Sequence, residues 1–304
     1  MSLFDSFIFV DWSSSKVRSP ASPSKDSVWV GQVHGTGESI AEYHRTRRSG
    51  VRSVRDILLR CVTEGKSVLL GFDFPYAYPS GFSGAIGKVN EAKPWLAIWQ
   101  KISQLAVDDQ NNLNHRFALA AQLNAEIGEV PGPFWGASKG EHRVLRSRKG
   151  YFEFPYRLSS GALLDEFRIT EKRLTGTQSS WKLYGDGSVG SQALTGIPYL
   201  NELRFDPRLA DHSTVWPMET GFSVPNTERR PLIVHSEIWP GVIAGNLDPS
   251  ISIRDRAQVL AMCDWARRLD SSGELSCMFS EPPGLSDRER ERCLREEGWI
   301  LGSR

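Results

Sequence analysis

The chain has no charge bias: 37 Lys and Arg face 36 Asp and Glu, for a formal net charge of +1. That balance excludes a polybasic or polyacidic binder, whose affinity rests on a field of one sign. Long hydrophobic runs are also missing. Those at residues 7–10 and 68–72 are strand-sized, far short of the roughly 20 apolar residues that span a bilayer, so no membrane helix is expected. Cysteine is scarce: Cys61, Cys263, Cys277 and Cys293 are widely spaced, form no CxxC pair and read as reduced structural thiols. The histidines, His34, His44, His115, His142, His212 and His235, form neither HExxH nor His-x-His, so any metal here rests on carboxylates. No internal repeat is visible. A strand-like run follows Met-Ser without the basic region, apolar stretch and small-residue cleavage site of a secretory signal, so the expected location is the cytoplasm.

What is present is an ordinary globular composition, 39% hydrophobic and 24% charged over 304 residues, enough for one large or two ordinary domains. Residues 4–10 form a dense apolar run ending at Asp11, the pattern of a strand buried on both faces. Residues 27–34 and 38–44 alternate as two more strands joined by Gly35-Thr36-Gly37. Val51, Val54, Ile57, Leu58 and Cys61 recur at helical spacing and Gly65 closes that helix. A fourth strand, 67–72, ends at Asp73. A Pro- and Gly-rich loop then leads to helices expected at 94–107 and 113–127, the start of an inserted cap. Further on, the pattern predicts a helix at 191–204, a strand at 214–218, a buried strand at 231–238 carrying Glu237, helices at 252–269 and 286–297, and a short final strand in Gly-Trp-Ile-Leu-Gly.

Three strands thus deliver an acid at or near their C-terminal ends: Asp11 in FVDWSS, Asp73 in GFDFPYAYP and Glu237 in VHSEIWP. In open α/β sheets ligands gather outside those ends, and an acid among apolar neighbours must be paired, protonated or metal-bound. Converging carboxylates suit Mg²⁺ or Mn²⁺, which prefer oxygen ligands and keep water that substrate phosphates displace. The bland reading is that Asp before Ser or Pro caps a turn.

Gly185-Asp186-Gly187-Ser188-Val189-Gly190-Ser191-Gln192 precedes the helix at 191–204, so its amides and the hydroxyls of Ser188 and Ser191 could cradle a phosphate, with Lys182 as counter-charge. It has neither the GK[ST] ending of a P-loop nor the GxGxxG of a dinucleotide site. Two basic clusters could neutralise phosphates, one with Arg45, Arg47, Arg48, Arg52 and Arg55, the other with Arg143, Arg146 and Arg148. Trp12 and Trp135 lie in loop contexts where an indole could stack on a base. Ser13-Ser14-Ser15-Lys16 offers hydroxyls beside Asp11, but no Ser-His-Asp order or nucleophile elbow is visible.

The element order, three strands, a helix, a fourth strand and a later strand and helix, resembles the ribonuclease H-like fold. The set FVDWSSS, GFDFPYAYP, GDGSVGSQALTGIPYLNELR, VWPMETG, VHSEIWP and EEGWILG is similar to a bacterial family related to the domain-of-unknown-function proteins labelled predicted RNase H-like nucleases. Some of its members carry labels for cobalamin or molybdopterin-cofactor synthesis. The resemblance implies a single α/β domain, a ribonuclease H-like mixed sheet flanked by helices, with its core at about 1–75 and 229–304 and a large mainly helical and loop insertion at about 80–228. It further implies that Asp11, Asp73 and Glu237 match an acidic metal centre, with a fourth acid on the closing helix. There Asp255 is preferred to Asp264 because it lies nearer the helix start. Such enzymes also carry an acid on the helix after the third strand, where this chain offers only Asp56 and Glu64, in no distinctive motif.

The expected activity is therefore a Mg²⁺- or Mn²⁺-dependent phosphodiesterase acting on nucleic acid or a nucleotide, with Ser13, Lys182, Ser188, Ser191, Gln192 and Arg143 on the substrate side. Two alternatives are an ATP-dependent phosphotransferase of the actin and sugar-kinase type, with DWSSSK as its phosphate turn, and a non-catalytic ligand-binding scaffold whose acids cap turns.

Overall fold

The computed structural model describes residues 2–128, 132–137, 145 and 152–303. The first strand, β1 (Ser6–Asp11), is buried along its whole length, as its unbroken apolar run requires. It pairs antiparallel with β2 (Val28–His34), which pairs antiparallel with β3 (Ile40–His44). Helix α1 (Arg47–Thr63) starts in a capping box between Thr46 and Ser49, ends ahead of Gly65 at φ +65°, and returns the chain to β4 (Ser67–Phe72), parallel to β1.

A one-turn helix α2 (Phe82–Ala85) leads to α3 (Pro94–Leu105), which opens on proline as a first-turn residue can, and to α4 (Arg116–Ile127). Helix α4 begins three residues later than the apolar pattern predicts. Asp109 accepts the amides of Asn111 and Leu113, and Asn112 is left-handed at φ +72°, so a side-chain-stabilised turn displaces the helix start. Beyond a two-residue ladder, β5 (Tyr156–Arg157) with β6 (Leu163–Leu164), and a short α5 (Ile169–Lys172), helix α6 (Val189–Arg204) runs for 16 residues. Strand β7 (Ser213–Val215) stops short of Pro217, and β8 (Leu232–Glu237) lies parallel to both β7 and β4. The chain closes with α7 (Arg254–Ser272), α8 (Leu275–Met278) and α9 (Asp287–Arg292), the last widening into a π turn over Cys293–Glu297. In place of a final strand, Ile300 makes a single bridge to Glu237.

The product is an α/β fold around a mixed six-stranded sheet ordered β3-β2-β1-β4-β8-β7. Alternation along the strands divides the core. Ile8, Val10, Leu70 and Phe72 point to one face, with Val54 and Leu58 of α1; Phe7, Phe9, Leu69 and Val234 point to the other, against Met262, Cys263 and Ala266 of α7. The expected inserted cap does not stand apart. Its Trp99, Leu123 and Leu200, from α3, α4 and α6, belong to the same hydrophobic cluster as α1, and the segment contributes β7 to the sheet. Helix α7 lies very close to β2: a Cβ at Gly31 would sit 2.8 Å from the Val259 carbonyl oxygen, so only glycine permits that approach. Among the described residues no helix is long and apolar enough to cross a membrane.

Candidate carboxylate site

Register decides which acids meet. Val10 pairs with Phe72 and Phe72 with Glu237, so these three share a row and a sheet face. Asp11 and Asp73 come one residue later in their strands. The Asp73 amide donates to the Val10 carbonyl at 3.2 Å, extending the β1–β4 ladder, and the Trp12 amide donates to Asp73 Oδ1 at 2.8 Å. These two acids therefore follow the parity of Phe9 and Gly71, on the side covered by α7. Asp255 lies in the first turn of α7, where a negative charge is favoured, and its Oδ2 accepts the Asp26 amide at 2.7 Å.

Asp11 is 9% exposed, and its carboxylate makes no hydrogen bond or ion pair among the described residues. Burial raises its pKa well above the carboxylate range, and the charges of Asp73, Asp255 and Asp26 raise it further against the weaker opposing pull of Arg254. Asp73 is pushed up to about 7, first by burial and then by Asp255, while the Trp12 amide acts the other way. Asp255 is also raised, by burial and by the charge of Asp26, against the hydrogen bond it accepts from the Asp26 amide. Three carboxylates thus lie within electrostatic reach of one another, with Arg254 the cation that acts on Asp11 and Asp255.

Asp11 and Asp255 open onto a cleft of about 420 Å³ whose far wall is the turn Gly185–Gly187 with Ser188 and Gln192. The expected phosphate-binding turn and two of the expected acids therefore face the same space. Ser188 caps α6 without a side-chain hydrogen bond across the helix start, and Gln192 Nε2 donates to the Trp12 carbonyl at 2.6 Å, tying α6 to the end of β1. Ser13 Oγ donates to the Asp26 carbonyl at 2.6 Å, fastening the loop beside Asp11. At Gly190 an added Cβ would meet the Ser180 carbonyl oxygen at 2.3 Å, so glycine is what lets α6 begin where it does.

Other expected substrate residues have different tasks. Lys182 Nζ donates to Gln178 Oε1 at 3.1 Å and to the Asp186 carbonyl, so it braces the turn from behind. Ser191 is buried, donating to the Leu183 carbonyl at 2.6 Å and accepting from Arg116 Nε at 2.8 Å. Arg143, with Arg146 and Arg148, lies outside the described residues. In the first basic cluster, Arg47 is fully buried, chelating Asp108 and donating to the Ser13 and Ser15 carbonyls, while Arg55 pairs with Glu202 and Asp206. Those two arginines are structural, whereas Arg48 and Arg52 are exposed. Trp12 is no stacking surface either: it is 1% exposed, packs on Phe72, Phe74 and Tyr199, and donates from Nε1 to Thr195. Trp135 is half-buried with its Nε1 enclosed.

Glu237 departs from expectation. Both its oxygens accept from Arg168, at 2.6 and 2.7 Å, and Oε2 also accepts the Tyr76 amide at 2.9 Å. Arg168 bonds Glu171 as well, and all three side chains are buried. The physical reason is a built-in partner: Glu237 and Asp73 line the same small cavity, but the buried Arg168 guanidinium occupies both oxygens of Glu237. Asp264 is exposed and pairs with Arg267; Asp56 is exposed on α1, and Glu64 beyond its end pairs with Lys66. Asp26 and Arg168 carry no local signal, because one sits in a Ser- and Pro-rich loop and the other in an irregular stretch.

Among the described residues no three His, Cys, Asp or Glu side chains are gathered in the arrangement that holds a metal ion. The donor chemistry nevertheless fits Mg²⁺ or Mn²⁺: Asp11 is a buried carboxylate with no partner, facing a polar cleft beside Asp255, with Asp73 within range. Comparison of the chain with protein-family models, curated proteins and solved structures found no match.

Proposed function

We propose that this protein is a divalent-metal-dependent phosphodiesterase of ribonuclease H-like type, acting on nucleic acid or a nucleotide, with Asp11, Asp73 and Asp255 as its working acids. The observation that carries the reading is Asp11, nine-tenths buried, unpartnered and turned into a cleft whose opposite wall is a glycine-rich helix start. Burying an acid without a counter-charge costs stability, and a bound cation removes that cost. Support also comes from the sheet order, with three antiparallel strands followed by a parallel one and acids at the ends of β1 and β4.

Asp11, Asp73 and Asp255 would hold Mg²⁺ or Mn²⁺, which supplies charge neutralisation and an activated water. The backbone amides around Gly187 and Ser188, at the positive end of α6, are suited to receive the substrate phosphate, and Gln192 orients that helix start against β1. The actin and sugar-kinase type is less well supported, since such enzymes duplicate the core and the described residues contain a single six-stranded sheet.

Titrating Mn²⁺ into the full-length protein by calorimetry, beside Asp11→Asn, tests the metal centre. Binding by the wild type and its loss in a folded Asp11→Asn, together with loss of Mg²⁺-dependent cleavage of oligonucleotide or cyclic-nucleotide diesters, is expected. Equal binding by both proteins would overturn the assignment.

A further inference from the structure

We infer that Asp26, in the connection between β1 and β2, is a fourth carboxylate ligand of the divalent cation at this centre, completing the set from which Glu237 is withdrawn. This rests on the metal-dependent reading above. Asp26 is held as a ligand must be. Its amide donates to Asp255 Oδ2 at 2.7 Å and its carbonyl accepts Ser13 Oγ at 2.6 Å, so the backbone is fastened on one side to an acid of the centre and on the other to the turn that follows Asp11.

Between those two anchors the residue is left-handed, at φ +55°, a conformation that Asp and Asn tolerate and most side chains do not. The anchors are backbone groups, so they leave the carboxylate free. That carboxylate makes no hydrogen bond or ion pair among the described residues, and Asp26, an exposed residue, lines the same cleft as Asp11 and Asp255. An Asp that merely shaped this turn would bond a nearby amide, as Asp109 and Asp248 do with their own oxygens.

The neighbouring charges make the arrangement expensive without a cation. Asp26 lies beside Asp255, its amide 2.7 Å from Asp255 Oδ2, and shares one cleft with Asp255 and Asp11. Asp11 is buried and unpartnered and shares the cleft with Asp26 and Asp255, and carboxylate oxygens of this kind suit a hard cation. Helix α1 offers no competing acid: Asp56 is exposed outside the cleft, and Glu64, beyond the helix end, pairs with Lys66.

Calorimetric titration of the full-length protein with Mn²⁺ alone tests this, comparing wild type, Asp26→Asn and Asp11→Asn. Asparagine keeps the left-handed backbone and both anchors, so the fold is retained, and an unchanged melting profile without metal verifies it. Asp26→Asn is expected to weaken Mn²⁺ by about tenfold or more and to reduce the Mn²⁺-induced rise in Tm. The deficit should persist in about 0.5 M KCl, where a mere through-space charge effect is screened away. Affinity within about twofold of wild type, or a deficit that vanishes in salt, would overturn the role of Asp26 while Asp11→Asn still reports on the centre itself. Failure of the wild type to bind Mn²⁺ would instead overturn both the centre and this ligand.

Discussion

Two groups of acids sit at the same end of one sheet and have opposite surroundings. Around Glu237, every carboxylate is answered. Arg168 bridges Glu237 and Glu171, Arg292 bonds Glu297, and Glu296 accepts the amides of Gly81 and Ser83. Around Asp11 the acids outnumber their partners, and the partners they have are backbone amides from Trp12 and Asp26. Both contain buried acids, Glu237 and Glu297 in the first and Asp11 in the second, while Asp73 and Asp255 are half-buried and Asp26 is exposed. The distinction is whether a counter-charge is built in. The first group is a clamp holding the loop after β4 to the C-terminal segment through Ser80, Gly81 and Ser83. The second has a deficit that only protons or a cation can fill.

Removing the built-in charge should break the first group most severely. Arg168→Met leaves Glu237 and Glu171 buried without a counter-charge, each with only a backbone amide, and a loss of about 3–5 kcal/mol is expected, read as a drop in Tm of roughly 10 °C or more. A drop of only a degree or two would mean that the clamp is not what holds this end of the sheet.

A smaller effect should come from displacing α7, which carries Asp255 to the second group. Gly31→Ala places a Cβ 2.8 Å from the Val259 carbonyl oxygen, a clash the backbone must absorb. Denaturant unfolding should show a loss of about 1–3 kcal/mol, and the protein that remains folded should bind Mn²⁺ more weakly. Full affinity would show that Asp255 is dispensable.

The smallest effect sharpens the comparison by its sign. Asp73 has its pKa raised to about 7 in the folded chain from an ordinary 3.8. The folded state therefore holds its proton longer than the unfolded state, so its contribution to stability is full in acid and declines as the pH rises from about 4 to about 7. Asp73→Asn removes that decline and keeps the acceptor for the Trp12 amide. Without metal the variant should be more stable than wild type by about 1–2 kcal/mol at about pH 8, with no advantage below about pH 4. Thermal melts across that range check it, and a variant less stable than wild type at alkaline pH would show that Asp73 has a counter-charge after all.

Much of this was readable residue by residue. Strands β1, β2 and β4 and helices α1 and α3 fall where local periodicity places them, because a strand buried on both faces and an amphipathic helix write their periods into adjacent residues. Asp11, Asp73, Asp255, Ser188 and Gln192 were legible for the same reason, each lying at the end of a well-marked element. Glu237 is occupied by Arg168, 69 residues earlier in the chain, a pairing that has no local signature. Lys182 and Ser191 were read as substrate contacts because their chemistry suits a phosphate, yet both bond the turn from inside.

By itself, then, the sequence determined the elements and the concentration of acids at strand ends, since those depend on short-range patterns of apolar and turn-forming residues. The tertiary structure decided which acids are spent and which are left over. That choice depends on pairings between residues far apart in the chain, Arg168 with Glu237, Asp26 with Asp255 and Gln192 with Trp12, and only a folded sheet with its helices in place brings them within hydrogen-bond distance.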